Sequence, residues 1–175
     1  YKEEIEANLR TPGMGGFQLL DLHDYPGQGT ALVGLLAPFW ESKGYVTPAE
    51  FKAFCNTVVP LARLKQRVFT TADKLEVPVD VANYGPQALT NMTVIWRILD
   101  ETGAGKAIGI SNNHTIPIGK SRLEMISTDF KSLNLPAPGE YKLQIYLQNT
   151  SFTNNWNFWL YPSQISDAVP TNVLV

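Results

Sequence analysis

Four polar side chains that could do chemistry lie close together near the N-terminus: Asp21, His23, Asp24 and Gln28. They follow the apolar run 16–22, whose nearly unbroken hydrophobic texture predicts a buried strand. At the end of such a strand they could hydrogen-bond a polar ligand. The alternative is that Asp21 and Asp24 cap the following loop and that His23 is an ordinary polar residue.

The same residues are poorly spaced for a metal site. Asp21, His23 and Asp24 are too close in sequence to converge easily on one ion, and His114 is the other imidazole in the chain. We therefore predict no metal site and no other cofactor.

A second candidate is the aromatic run 156–161. Side chains alternate along a strand, so one set of this run must fill the core while the other set points outward. The set Asn157, Trp159 and Tyr161 could form a platform on which a sugar ring stacks while the amide reads its hydroxyls. The alternative is that these aromatic side chains pack against the N-terminal segment.

Other kinds of catalytic site lack support in the sequence. Serine and threonine are abundant, but no Gly-x-Ser-x-Gly elbow accompanies them. Cys55, the single cysteine, lies in the apolar run 51–64, which is typical of a structural thiol, and it permits no internal disulfide.

Composition and charge exclude several partners. A net charge of −2 provides no basic face for nucleic acid. The longest apolar stretch, 31–40, is interrupted by Gly34 and Pro38 and is too short to span a membrane. The polar first residues predict a helix over Glu3–Leu9 and not a signal peptide.

The first third of the chain mixes helix, strand and loop. After the first helix and the strand over 16–22, a second helix is predicted from Thr47, because Thr47 and Glu50 form a capping box and Pro48 occupies the first turn. This helix should end near residues 58–60.

From Leu64 the hydrophobic period changes to two, with turn signals between the apolar runs. About seven short strands at this spacing predict an antiparallel β-sandwich of immunoglobulin type. The fold class is thus mainly β, with an N-terminal helix and loop arm over 1–63 and the sandwich over 64–175. The predicted strands are 67–70, 75–81, 93–99, 106–111, 121–126, 141–147 and 156–161.

The element Gly15-Gly16-Phe17, followed by a strand, a polar loop, a helix and a sandwich, resembles the C-terminal part of family 2 glycoside hydrolases of the β-galactosidase type. The resemblance implies that residues 1–63 derive from the end of a (β/α)8 barrel and its wrapping segment. Leu19 departs from the family, which commonly has tryptophan at that position.

The resemblance also implies which residues matter. The family's two catalytic glutamates lie upstream of the Gly-Gly-Phe element, where this chain has Glu3, Glu4 and Glu6 on an apparent surface helix without a matching motif. We therefore predict no catalytic residue. In the parent protein, the polar cluster 21–28 introduced above would contact substrate at the end of the barrel strand.

The function implied is a non-catalytic accessory module of a bacterial family 2 enzyme acting on β-linked glycans. The alternative is an independent carbohydrate-binding module that uses the exposed aromatic residues, and a small complete enzyme is a third possibility. Expected partners are the rest of the parent glycoside hydrolase and carbohydrate, in the periplasm or outside the cell. The strand over 16–22 would have two bare edges, so self-association through it is a further expectation.

Overall fold

The computed structural model describes residues 1–27 and 32–164 of the chain. Among these residues, two helices within the N-terminal arm precede six strands, a short third helix and two final strands. The elements are α1 (Lys2–Arg10), α2 (Pro48–Phe54), β1 (Val58–Ala62), β2 (Val68–Thr70), β3 (Lys74–Asn83), β4 (Leu89–Asp100), β5 (Gly105–Ile116), β6 (Gly119–Asp129), α3 (Phe130–Leu133), β7 (Gly139–Leu147) and β8 (Thr153–Tyr161).

The strands form two sheets, with strand orders β1-β3-β6 and β2-β8-β7-β4-β5. Neighbouring strands are antiparallel apart from the pair β2–β8, which is parallel. The order β8-β7-β4 corresponds to the G-F-C sheet of immunoglobulin domains. The predicted mainly-β sandwich is therefore confirmed, with one parallel edge pair added to the expected antiparallel pattern.

The core lies between the two sheets and follows the period-two pattern of the sequence. On β3 the alternate residues from Leu75 to Val81 are buried, and on β8 Trp156, Phe158 and Leu160 point inward. Four aromatic rings meet at one end of this core, with centroid separations of 5.3 to 5.9 Å. The rings belong to Phe69, Phe130, Tyr141 and Phe158.

Tyr141 also fixes a corner of the sandwich. Its hydroxyl donates a hydrogen bond to the carbonyl oxygen of Pro136, five residues upstream, at 2.7 Å. Such a tyrosine near the start of strand F, which corresponds to β7 here, is a hallmark of immunoglobulin-like domains. The hydrogen bond ties the loop after α3 to the start of β7.

The second helix is shorter than predicted. The capping box of Thr47 and Glu50 is present, but α2 ends at Phe54 and residues 58–62 form strand β1. All five residues of β1 are buried, because one face meets the sandwich core and the other meets α1. A run that is apolar on both faces has no period, so the sequence did not distinguish this strand from the end of a helix. The strand also precedes the expected domain boundary at residue 64.

The strand predicted over 16–22 is wrong. In the described part of the arm this segment forms no strand, and Leu20 is 82% exposed. A buried strand needs partners on both sides, and among residues 1–27 and 32–164 its nearest pairings are the isolated bridges His23–Leu36 and Leu36–Ser42. Its apolar side chains consequently face outward.

Candidate functional site

The two faces of β8 have different environments, as the alternation predicts. Trp156 and Phe158 are buried, whereas Trp159 and Tyr161 remain 38% and 48% exposed on the outer face with Asn157. The aromatic residues of the outer face are not covered by the arm. Within the described part of the chain, Trp159 and Tyr161 are therefore accessible to a ligand.

Helix α1 is attached beside this face through a carboxylate inside the protein. The carboxylate of Glu6 accepts hydrogen bonds from the indole N–H of Trp156 and the amide of Asn154, each at 2.8 Å. It also accepts from Arg10 at 3.0 Å and forms an ion pair with Lys2. We call Glu6 with these four partners the Glu6 clasp. The expectation that Glu6 lies on a surface helix is wrong, since Glu6 is fully buried and faces β8.

The clasp shapes a depression of about 410 Å³ between the start of α1 and the outer face of β8. One wall is Trp159, and the opposite wall is formed by α1. The lining residues are Lys2, Glu3, Arg67, Asn155, Trp156, Asn157 and Trp159. Of the predicted platform, the depression thus includes Asn157 and Trp159, while Tyr161 lies further along the strand.

Arg67 is held in place across the depression. Its guanidinium donates to the Glu3 carboxylate at 2.5 Å and to the carbonyl oxygen of Asn157 at 3.2 Å. Its own carbonyl accepts from the backbone N–H of Trp159 at 2.7 Å. These contacts join the segment before β2 to both α1 and β8.

The amide of Asn157 is also oriented. Its NH₂ group donates to a carboxylate oxygen of Glu140 at 2.8 Å. Since a carboxylate only accepts hydrogen bonds, the NH₂ must face Glu140 and the amide oxygen is directed elsewhere. No group in the described part of the chain donates to the amide oxygen of Asn157, so this oxygen can accept a hydrogen bond from a ligand.

Each charged side chain that lines the depression has a partner of opposite charge. Arg67 pairs with Glu3, and Lys2 pairs with Glu6, which Arg10 shares. Burial lowers the pKa of Lys2, an effect that the neighbouring Glu6 carboxylate opposes. The charged groups of the depression are therefore already engaged in ion pairs.

Sequence reasoning missed Lys2, Glu3 and Arg67. Arg67 is 64 residues from Glu3 along the chain, and this distance is closed only when α1 docks against the sandwich. No local sequence motif predicts such a contact.

The predicted cluster after residue 20 is not part of this depression. Asp24 is buried and accepts from the backbone N–H of Gly34 at 2.9 Å and from Lys43 at 2.6 Å. The Lys43 ammonium lowers the pKa of Asp24, and Asp24 in turn raises the pKa of Lys43. Asp24 thereby braces the arm, as the loop-capping alternative expects.

Two further members of that cluster, His23 and Asp21, make local contacts within the described part of the arm. The ring of His23 contacts the carbonyl of Asp24 at 2.7 Å and lies 4.6 Å from the ring of Trp40. The backbone oxygen of Asp21 accepts from the Tyr1 hydroxyl at 3.2 Å. Gln28 lies outside the described residues. A substrate-contacting role for these residues in the parent protein stays a prediction.

Gly34 is required by the packing of the arm. A side chain there would come within 2.4 Å of the backbone of His23. The Tyr45 hydroxyl donates a hydrogen bond to the carbonyl oxygen of Gly34 at 2.5 Å. The arm is therefore built around one close backbone approach that only glycine permits.

A second cleft, beside the β4–β5 turn, contains three carboxylates: Asp100, Glu101 and Glu140. Asp100 accepts hydrogen bonds from Thr102 and Ala104 and pairs with Lys106. The hydrogen bond from Lys106 strongly lowers the pKa of Asp100. A glycosidase acid needs the opposite, a raised pKa, so Asp100 is suited to stabilising the turn.

Three further observations concern the described residues, 1–27 and 32–164. No group of three metal-binding side chains comes together among them. Within the same ranges, no helix is long and apolar enough to cross a bilayer. Cys55 is half-buried, and burial raises the pKa of its thiol, which lowers the fraction of reactive thiolate.

Comparison with solved structures places this fold among known proteins. The exo-chitosanase CsxA of Amycolatopsis orientalis is similar at a TM-score of 0.58 and 15% identity, over 91% of this chain and 18% of that chain. A β-glucuronidase of Parabacteroides merdae (TM-score 0.41, 14% identity) matches over 60% of this chain and 14% of its own. The DNA glycosylase AlkC of Pseudomonas fluorescens (TM-score 0.45, 12% identity) matches over 60% and 30%.

At these identities a likeness shows the fold alone. The chain spans less than a fifth of the exo-chitosanase that it resembles. Glycoside hydrolases are thus among its structural neighbours, while membership of family 2 stays a prediction.

Comparison with sequences is more direct. A search of curated proteins finds no match. The family model described as "Domain of unknown function (DUF8488)" matches residues 73–162, a little over half of the chain, and the chain therefore belongs to that family.

Proposed function

We propose that this chain is a non-catalytic accessory module of a family 2, β-galactosidase-like glycoside hydrolase that acts on β-linked glycans. In this proposal the arm presents an apolar surface to the catalytic body, and the sandwich holds the arm in position. The observation that carries the proposal is the exposure of large apolar side chains throughout the arm. They include Leu20, Leu32, Val33, Phe39, Trp40 and Tyr45, which are 61% to 84% exposed.

Such exposure is unusual in a protein that is complete by itself. Scattered apolar residues are normal on a surface, but a concentration in one segment is typical of an interface. The arm is also internally braced, through Asp24, Lys43 and Gly34, so its apolar side chains are displayed by a defined structure.

The architecture supports the same proposal. Coverage of 91% of this chain by the exo-chitosanase match extends beyond the sandwich, because residues 58–164 alone are under two thirds of the chain. That enzyme contains the fold as a small part of a longer chain. By analogy, the partner here is the rest of a bacterial glycoside hydrolase in the periplasm or outside the cell.

Hydrolysis assays test the non-catalytic part of the proposal. The purified chain should release no product from a panel of nitrophenyl β-glycosides above the buffer rate. Activity that co-elutes with the chain in gel filtration and is abolished by changing one carboxylate would overturn it.

The display of the arm is tested by the double variant Leu20→Ser/Phe39→Ser. Both side chains are more than four fifths exposed, so the free energy of unfolding should change by about 0.5 kcal/mol or less each. The double variant should bind less of an apolar fluorescent dye than the wild type does. The control Ile118→Ser, in the β5–β6 turn, should lower dye binding far less. Loss of about 2 kcal/mol or more in the double variant would show that the arm packs onto its own chain, and would contradict the proposal.

A further inference from the structure

We propose that the depression between α1 and β8 is a binding subsite for one uncharged pyranose ring of a glycan. This inference rests on Trp159, Asn157, Arg67 and Glu3, none of which is one of the exposed apolar residues of the arm that carry the accessory role. It is therefore independent of the accessory role, and either proposal can fail without the other.

Trp159 provides the apolar wall. It is part of the sheet's outer face, and its partner on β7 is Glu140, so its backbone is fixed by strand pairing on both sides. The C–H groups of a pyranose form an apolar face that packs on an indole ring, and a ring already held by a sheet loses little entropy on binding.

Hydrogen-bonding groups surround this wall with unused capacity. The oxygen of the Asn157 amide is directed away from Glu140 and can accept. Glu3 accepts from Arg67 through one carboxylate oxygen, which leaves the second oxygen for a ligand hydroxyl. Arg67 uses two of its N–H groups internally, so further donors remain.

This combination of one aromatic wall with a few oriented donors and acceptors suits a polyhydroxylated ring. Small-molecule sites commonly measure about 300 to 1,000 Å³, and the depression, at about 410 Å³, lies at the small end of that range. It is an open depression on the surface, so a ring within a longer glycan can enter as well as a free sugar.

The ion pairs at the depression select the class of sugar. Each basic group that lines it already has a carboxylate partner, Glu3 for Arg67 and Glu6 for Lys2. An anionic sugar that used the spare donors of Arg67 would lie against the Glu3 carboxylate, and a cationic sugar that used the spare oxygen of Glu3 would lie against the Arg67 guanidinium. An uncharged ring meets neither repulsion.

A glycan array with the whole purified chain tests the proposal, followed by titration calorimetry with the best neutral and the best uronic-acid ligand. We expect binding to one class of neutral glycan, weakened at least tenfold by Trp159→Ala and partly restored in Trp159→Phe. Arg67→Met should also weaken binding, because it removes the donors but keeps most of the apolar stem.

The matched control is Tyr84→Ala, which removes an exposed aromatic side chain from the β3–β4 turn and should leave binding unchanged. Circular dichroism should show the same fold in all variants. Absence of binding to any glycan, equal binding by Trp159→Ala, or preference for uronic acids would each overturn the proposal. Arm variants such as Leu20→Ser/Phe39→Ser should bind the glycan as well as the wild type.

Discussion

At the scale of single residues, buried charge determines how the N-terminal helix is attached. Glu6 has no solvent contact, and its two carboxylate oxygens satisfy four donors from α1 and β8. Breaking a buried ion pair from one side is costly because the remaining charges stay behind without partners. The clasp is therefore specific to a carboxylate at this position.

Replacing this carboxylate should destabilise the protein. We expect Glu6→Ala to lower the free energy of unfolding by about 3 to 5 kcal/mol, since Lys2, Arg10 and Trp156 all lose a partner. Urea denaturation followed by tryptophan fluorescence measures the effect. Glu4→Ala, an exposed change on the same helix, should stay within about 0.5 kcal/mol. An equal effect of both substitutions would contradict the clasp.

The pair Asp24–Lys43 predicts a pH dependence of the arm. The pKa of Asp24 is lowered from 3.8 in the folded state, so its contribution to stability is present above pH 3.8 and is lost as pH falls through the folded pKa. The pKa of Lys43 is raised from 10.5, so its contribution is present below pH 10.5 and is lost as pH rises through the folded pKa.

Thermal melting of the wild type and Lys43→Met between pH 2 and pH 8 measures this dependence. The wild type should be the more stable protein near pH 7, and the difference should shrink as pH falls below 3.8, because protonation of Asp24 then favours the unfolded state of the wild type. A difference that stays constant over the whole range would show that Lys43 acts through packing alone.

At the scale of elements, a few side chains fix where strands and loops meet. Asp80, buried in the middle of β3, pairs with Arg63 just after β1 and with Arg122 on β6. It therefore joins the three strands of the smaller sheet. Tyr141 has the equivalent role at the α3–β7 corner, through its hydrogen bond to Pro136.

Removing one hydroxyl group tests how much the Tyr141–Pro136 hydrogen bond contributes to stability. Tyr141→Phe removes the hydroxyl and keeps the ring in the aromatic core, so we expect a loss of about 0.5 to 1.5 kcal/mol. The control is Tyr146→Phe on the same strand, whose ring lies 5.0 Å below the Arg97 guanidinium. That variant should be nearly neutral, and a neutral Tyr141→Phe would show that the corner hydrogen bond contributes nothing.

At the scale of the whole molecule, α1 and the loop part of the arm, residues 11–27 and 32–46, should differ in stability although they adjoin in sequence. Helix α1 packs Ile5 and Leu9 into a core with Phe54, Val59 and Leu61, whereas the described residues of the arm have few backbone hydrogen bonds. Regions with exposed backbone open locally at low cost, and packed regions open only with the domain.

Hydrogen–deuterium exchange should therefore show α1 protected like the sandwich strands, with rapid exchange in residues 11–27 and 32–46. In Glu6→Gln, protection of α1 should fall while that of β3 and β7 persists. Exchange of α1 at the rate of the arm in the wild type would contradict its attachment to the sandwich.

Short-range sequence signals were enough to predict the sandwich. Alternation on β3, β7 and β8 and turn residues between the runs gave the strands, and the Thr47 capping box gave the start of α2, because these signals act over a few residues. Local patterns failed where a segment is apolar on both faces, as in β1, or where partner strands are missing, as at 16–22.

Local sequence patterns predicted only part of the candidate site. The outward face of Trp159 and Asn157 follows from the period of a strand, whereas Arg67, Glu3 and the burial of Glu6 depend on how α1 docks against β8. These contacts join residues 64 to 150 positions apart. The period of a strand is a property of neighbouring residues, so it can be read from the sequence. Ion pairs between distant residues depend on how whole helices and strands pack, which becomes known only once the fold is known.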